Sequence, residues 1–161
     1  MNLYLVQHGQ AKSDAEDPAR PLTHEGVKAV ERVAAWIAKA GVSVTEIRHS
    51  GKKRAEQTAG VFARHLLPVK GLKAHTGLSP KDDVRPLADA LKEHRDSIMV
   101  VGHLPFLNRL AGLLIAGDPD REVVRFENGG VVCLVGEGVD WRVAWISTPN
   151  LLKGTDGSRG V

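Results

Sequence analysis

The stretch Ile98-Met99-Val100-Val101 contains four consecutive apolar residues, and Gly102 and His103 follow it directly. Parallel strands that are covered by helices on both faces have such uninterrupted apolar runs. Leu3 to Val6 is a similar short run, and it stops at Gln7-His8-Gly9. The sequence therefore predicts two buried strands, each followed by a polar turn that contains a histidine.

Apolar residues recur at helical spacing in four segments around these strands. Thr23 is the predicted N-cap of the first segment, which ends by Gly41, and Pro68 closes the second. Pro105 takes the first turn of the fourth segment, a position that proline prefers. The apolar positions are Val27, Val30, Val33, Ala34 and Ile37, then Ala55, Ala59, Phe62, Ala63 and Leu66, then Val84, Leu87, Ala88 and Leu91, and finally Leu107, Leu110, Ala111 and Leu114.

Further strands are predicted at residues 44–48 and 72–74. Residues 130–135 and 141–146 flank a glycine-rich loop at 136–140, which is typical of an antiparallel hairpin. Strands that alternate with helices before a terminal hairpin predict an α/β sandwich around a mostly parallel sheet.

The 161 residues suit a single domain, which we expect at residues 1–153, with a flexible tail at 154–161. The hydrophobic fraction of 42% and the charged fraction of 25% exclude disorder over most of the chain. The net charge of +3 and the aromatic fraction of 4% are too low for a nucleic-acid surface. We therefore expect no nucleic-acid partner. We also expect no membrane partner, and a monomer.

Cys133 is the only cysteine, so the chain has neither an intrachain disulfide nor a thiolate metal cluster. The first eight residues lack the basic and apolar regions of a signal peptide. The longest apolar stretch, residues 110–116, is far too short to span a membrane. These features predict a cytoplasmic protein.

In open α/β sheets, ligands bind beyond the carboxyl ends of the strands. Two predicted helices begin at that edge, near Ser50 and Pro105, and their free N–H groups favour an anion. Glycines next to the polar side chains would allow close approach or a positive φ. The residues that follow the three strands are Gln7, His8 and Gly9, then Ser50, Gly51, Lys52, Lys53 and Arg54, and finally Gly102 and His103.

Two histidines and an arginine at one edge suit nucleophilic catalysis on phosphorus. A neutral imidazole attacks, becomes phosphorylated and is released by water, while positive groups neutralise the phosphoryl oxygens. A structural role without catalysis stays open as an alternative, because a histidine at a strand end is often structural and a Lys-Lys-Arg run is often a solvated helix face. The other histidines lack metal-ligand spacing, so no metal is expected; they are His24, His49, His65, His75 and His94.

Four blocks, in order, resemble the signature of the histidine phosphatase superfamily: residues 5–9, 20–26, 50–59 and 101–105. With its short length, the chain resembles the SixA-type phosphohistidine phosphatases. The resemblance implies a three-layer α/β/α sandwich of the phosphoglycerate-mutase type with no metal and no organic cofactor. It also implies His8 as nucleophile and Arg54 and His103 in the phosphate pocket, with substrate contacts from Gln7, Gly9, Arg20, Ser50 and Gly102.

Two departures from the family pattern affect this expectation. Gln7 replaces the arginine that normally precedes the nucleophile, and a lost charge-assisted contact costs about 1.5–3 kcal/mol. Lys12, Lys52 or Arg20 are the candidates to compensate. Larger relatives have an acidic group after a leucine in a later loop, whereas here Leu78 is followed by serine and proline. A missing acid favours phosphohistidine, whose imidazole leaves easily, over an alcohol that needs a proton.

The sequence thus predicts a phosphatase that hydrolyses phosphohistidine on a partner protein, such as a phosphotransfer domain, through a phospho-His8 intermediate, and releases inorganic phosphate. Two alternatives stay open. One is a small-molecule phosphomonoesterase, and the other is a phospho-ligand-binding protein that has lost turnover because of Gln7.

Overall fold

The computed structural model describes residues 1–154. Its elements, in chain order, are β1 (Asn2–Gln7), α1 (His24–Lys39), β2 (Glu46–His49), α2 (Lys53–Leu66), β3 (Leu72–Ala74), α3 (Arg85–Glu93), β4 (Ile98–Gly102), α4 (Phe106–Ala116), β5 (Val131–Glu137) and β6 (Asp140–Ser147). Apart from Gly154, the predicted tail at 154–161 lies outside the described residues, and the domain range 1–153 stays a prediction.

The strands form one sheet in the order β3-β2-β4-β1-β5-β6. Strands β1 and β2 both pair with β4 in parallel, and β3 pairs with β2 in parallel. The β5–β6 hairpin joins the other side of β1 in antiparallel orientation. Every residue of β4 is buried, as its apolar sequence predicts.

The sheet separates two apolar cores because successive strand residues face opposite sides. Leu3 and Leu5 pack with α3 and α4, whereas Tyr4 and Val6 pack with α1 and α2. Helices therefore cover both faces, and the predicted three-layer α/β/α sandwich with a C-terminal antiparallel hairpin is confirmed. Within residues 1–154, none of the helices combines the length and the apolar character needed to cross a bilayer.

The local boundaries differ slightly from the predicted ones. The Thr23 side chain caps α1 by accepting a hydrogen bond from the Gly26 N–H at 2.9 Å, as predicted. Pro105 is the N-cap of α4 and not part of its first turn. The hairpin loop shortens to residues 138–139, because Gly138 adopts a φ of +62° and permits a tight connection. Strand β2 begins two residues later than predicted.

Candidate active site

The carboxyl ends of β1, β2 and β4 bring two histidines and a serine together. The His8 N–H donates to the Gly102 carbonyl at 3.0 Å, and the rings of His8 and His103 are 5.1 Å apart between centroids. Ser50 Oγ lies 2.6 Å from His103 Nε2. The parallel sheet therefore assembles, at one edge, side chains that are about a hundred residues apart in the sequence.

The contact between His8 and the next residue fixes the tautomer of its imidazole. His8 Nδ1 lies 2.7 Å from the Gly9 carbonyl, and because a carbonyl only accepts, Nδ1 must carry the proton. Burial lowers the pKa of His8, the Gly9 hydrogen bond partly opposes this, and the positive charges of Arg54 and Arg20 lower it further. At neutral pH His8 is therefore a neutral ring with its lone pair on Nε2.

The backbone around His8 is held from two sides. The Gly9 N–H donates to Thr58 Oγ1 at 2.9 Å, and Asn128 Nδ2 donates to the His8 carbonyl at 3.0 Å. A Cβ on Gly9 would lie 2.8 Å from Cγ2 of Val30, so the lack of a side chain at Gly9 allows the backbone to pack closely against Val30. Gly9 does not adopt a positive φ. The nucleophile candidate thus projects from a fixed strand end.

Two cationic side chains act on the site, Arg54 from α2 and Arg20 from the loop before α1. Arg54 lies in the first turn of α2, where Lys52 provides no side-chain cap, so N–H groups are open to an anion. Burial lowers the pKa of Arg54, and the charge of Arg20 lowers it further. Arg20 adopts a positive φ of 48°, and its Nε donates to the Lys12 carbonyl at 3.2 Å. Two guanidinium groups therefore lie close enough to repel each other.

His103 is a neutral group in this site. It is only 2% exposed, and burial lowers its pKa to about 3, with further lowering by His8, Arg54, Lys52 and Arg20. Its Nδ1 is buried and has no hydrogen-bond partner within residues 1–154. His103 therefore contributes a polar ring edge, and not a positive charge, before substrate binds.

The three candidates to replace the missing arginine, Lys12, Lys52 and Arg20, act on different groups in the structure. Arg20 and Lys52 both lower the pKa of His103, after the larger effect of burial. Hydrogen bonds from Ser13 lower the pKa of Glu16, and the charge of Lys12 adds to that effect. The cations beside the histidines are thus Arg20 and Lys52, whereas Lys12 supports the loop through its backbone.

Gln7 precedes His8 directly in the chain. Gln7 is the last residue of β1, and His8 follows it outside the strand. Its side chain lines an adjacent cleft of about 560 Å³ together with Arg125, Asn128 and Asn150. Its Oε1 atom is buried without a hydrogen-bond partner among the described residues.

The two carboxylates in the loop after β3 form local hydrogen bonds. Asp82 Oδ2 accepts from the Ser79 N–H at 2.8 Å, and Asp83 Oδ1 accepts from the Arg85 N–H at 3.0 Å. Both carboxylates therefore stabilise the turn that leads into α3.

Over residues 1–154, no group of three or more His, Cys, Asp or Glu side chains could hold a metal ion.

The sequence reasoning missed two residues that support the site, Thr58 and Asn128. Thr58 follows Arg54 by four positions, so the helical repeat places both on one face of α2, and this signal was available. Asn128 lies in the loop before β5, and no local pattern connects it with His8. Of the other histidines, His65 pairs with Glu31 at 2.6 Å and His75 with Glu46 at 3.4 Å.

Comparison with known proteins shows which family this chain resembles. The sequence model of the histidine phosphatase superfamily (branch 1) matches residues 3–77. Phosphohistidine phosphatase SixA of Escherichia coli strain K12 is 29% identical over 123 residues, which cover 73% of this chain and 76% of the relative. The structure of the protein histidine phosphatase SixA complexed with tungstate superposes with a TM-score of 0.84 at 26% identity, covering 95% of this chain and all 100% of that one.

A phosphoserine phosphatase from Entamoeba histolytica, in complex with 3-phosphoglyceric acid, shares the fold alone, with a TM-score of 0.70 at 16% identity over 91% of this chain and 96% of that one. Fold, ordered motifs and family match agree, and each is similar to the histidine phosphatase superfamily. Its similarity to SixA covers 73% of the chain in sequence and 95% in structure.

Proposed function

We propose that this protein is a phosphohistidine phosphatase that acts on a phosphorylated partner protein through a phospho-His8 intermediate. One observation carries the proposal: the Gly9 carbonyl, 2.7 Å from Nδ1, leaves the Nε2 lone pair of a neutral His8 free for attack. The similarity to SixA supports the same substrate class.

In the first step, His8 Nε2 forms a bond to phosphorus as the bond between phosphorus and the substrate imidazole breaks. A substrate ring that is protonated on its other nitrogen leaves as a neutral imidazole, so it needs no acid from the enzyme. In the second step, water attacks the phosphorus and His8 leaves. Because its Nδ1 proton stays on the Gly9 carbonyl side, His8 also leaves as a neutral ring.

Charge stabilisation in both steps falls to the guanidinium groups. Arg54 and Arg20 supply positive charge for the phosphoryl oxygens, and the open N–H groups at the start of α2 add donors. His103, neutral and buried, offers a hydrogen-bonding ring that Ser50 orients at 2.6 Å. Attack by His8 on phosphorus with charge stabilisation by these groups does not require a Lewis acid, so we propose that turnover is metal-independent.

A second candidate is a binding protein without turnover, and Gln7 is the observation that favours it. The amide replaces a guanidinium and faces the adjacent cleft, so the phosphate pocket has one cation fewer than the family pattern. Asp82 and Asp83, engaged in their own turn, argue against a phosphomonoesterase that must protonate an alcohol. The monomeric state, the absence of nucleic-acid and membrane partners and the cytoplasmic location stay predictions.

The test compares His8→Ala with His24→Ala, an exposed histidine at the start of α1, as the matched control. A phosphohistidine-bearing phosphotransfer domain is the substrate, a chelator is present throughout, and both released phosphate and phosphorylated enzyme are measured in a single turnover. We expect His8→Ala to lose both signals and His24→Ala to keep both.

Three outcomes would contradict parts of the proposal. Wild-type rates in His8→Ala would exclude the covalent mechanism. Binding of the phosphorylated domain without any phosphate release by the wild type would favour the binding protein. Loss of activity in the chelator, restored by added metal, would exclude metal independence.

A further inference from the structure

The cleft beside His8 is rich in carboxamides, because four of its lining side chains carry this group. They are Gln7, Gln10, Asn128 and Asn150, which come from β1, the loop after it and the loops on either side of the β5–β6 hairpin. Its volume of about 560 Å³ is within the range of ligand sites. A carboxamide carries both a donor and an acceptor, as a peptide group does.

Two of these amides are held in a defined orientation. Gln10 Oε1 accepts from Thr23 Oγ1 at 3.1 Å, which leaves the Gln10 NH₂ group as a donor. Asn128 Nδ2 donates to the His8 carbonyl at 3.0 Å, which leaves Asn128 Oδ1 as an acceptor. The cleft therefore presents a fixed donor and a fixed acceptor, which together complement the C=O and N–H groups of a main chain.

The charges of the cleft do not favour a second anionic ligand. Arg125 is accompanied by two carboxylates, Glu25 and Glu127, so the lining carries no excess of positive charge. A neutral polar ligand fits this balance better than a phosphate or a nucleotide does.

The cleft is also directly connected to the nucleophile, since Asn128 both lines it and contacts the His8 backbone. Residues of an extended chain advance by about 3.3 Å each, so the neighbours of a phosphohistidine at His8 reach the cleft within a few residues. A substrate held at His8 thus places its own main chain beside the carboxamides.

Resting on the proposed function, we infer that this cleft binds the main chain of the segment that flanks the phosphohistidine in the substrate protein. Recognition through peptide groups makes the flanking side chains secondary and the extended backbone primary. In this arrangement Gln7 is part of the wall of the peptide cleft, next to the phosphate pocket.

The test compares two substrates that both react at a phosphorus–nitrogen bond. One is a capped alanine peptide with one central phosphohistidine, and the other is phosphoramidate, which has no main chain. Gln10→Ala and Asn150→Ala remove exposed amides of the cleft, and Asn2→Ala removes an amide at the opposite end of β1 as a control. We expect each cleft variant to lower kcat/KM about threefold to tenfold for the peptide, the effect of one hydrogen bond. The phosphoramidate rate and the control variant should stay within about twofold of the wild type.

A second measurement uses the same peptide with N-methylated flanking amides, which removes the N–H donors but keeps the alanine side chains. We expect the wild type to lose most of its preference for the peptide over phosphoramidate. Equal losses on both substrates in the cleft variants, or full activity on the N-methylated peptide, would overturn the inference. A wild type that hydrolyses phosphoramidate and the peptide equally well would also overturn it and leave the proposed function standing. Turnover of neither substrate would refute the proposed function itself.

Discussion

Thr58 connects the two halves of the site through one buried hydroxyl. Its side chain is 0% exposed, and Oγ1 accepts from the Gly9 N–H at 2.9 Å while donating to the Arg54 carbonyl at 2.8 Å. Thr58→Val replaces the hydroxyl with a methyl group of similar size. The Gly9 N–H then loses its acceptor inside the protein, whereas the Arg54 carbonyl keeps its helical partner.

Two magnitudes follow from this geometry. A buried donor without a partner costs about 1–3 kcal/mol, so the free energy of unfolding should fall by that amount. The Gly9 carbonyl also orients His8, and a displacement of about 1 Å at a reacting group costs up to ~10²-fold in rate. We therefore expect the rate of His8 phosphorylation to fall between about tenfold and a hundredfold.

Urea unfolding measures the first effect, and rapid-quench detection of phosphorylated enzyme measures the second. Thr58→Ser is the matched control, because it keeps the hydroxyl and loses one buried methyl group, worth about 0.8 kcal/mol. We expect Thr58→Ser to be somewhat less stable but nearly as fast as the wild type. A fast Thr58→Val, or a Thr58→Ser as slow as Thr58→Val, would refute the positioning role.

Three further predictions concern the charges of the site. Arg54→Ala should lower turnover by about 10²–10³ and weaken inhibition by phosphate, and an unchanged phosphate affinity would place Arg54 outside the pocket. Gln7→Arg should leave kcat/KM on a phosphohistidine peptide nearly unchanged, because Arg20 and Lys52 already lie beside the histidines; a tenfold gain, about 1.4 kcal/mol in the transition state, would instead show an under-charged pocket. His103 binds a proton at about pH 3 when folded and at 6.5 when unfolded, so its contribution to stability is complete above 6.5 and is lost as the pH falls. From His103 alone, denaturation at pH 5 should show about 2 kcal/mol less stability than at pH 7. His103→Asn should remove that part and leave the part due to the lowered pKa values of His8 and His49, whereas an unchanged loss in His103→Asn would show that the ring is solvated.

The fold was predictable because its strongest signals are local. The apolar run at 98–101 and the Thr23 cap each report on their own segment, and the structure has a buried strand and a helix start at these positions. The hairpin loop was predicted too long, because glycines at 136 and 138 suggest a flexible segment. Only Gly138 has the positive φ of the turn, while Gly136 pairs with Trp141 within the ladder.

The site was predictable to the extent that the sheet itself assembles it. The carboxyl ends of parallel strands meet at one edge of the sheet, so the residues that directly follow each strand lie together there. His8, Ser50 and His103 are such residues and could be identified from the sequence. The role of Asn128 depends on how a loop from the last third of the chain packs, which no local spacing encodes. The cleft that Gln7 lines likewise depends on loop residues from the last third of the chain, such as Arg125 and Asn150.

The hydrogen bond from His8 Nδ1 to the adjacent carbonyl also has a regiochemical consequence. An imidazole can carry phosphorus on either nitrogen, and the two products are distinct isomers. Because Nδ1 is occupied by its bond to Gly9, any phosphoryl group that His8 accepts is directed to Nε2. Two consecutive residues thus determine which isomer forms, independently of the partner that delivers the phosphoryl group.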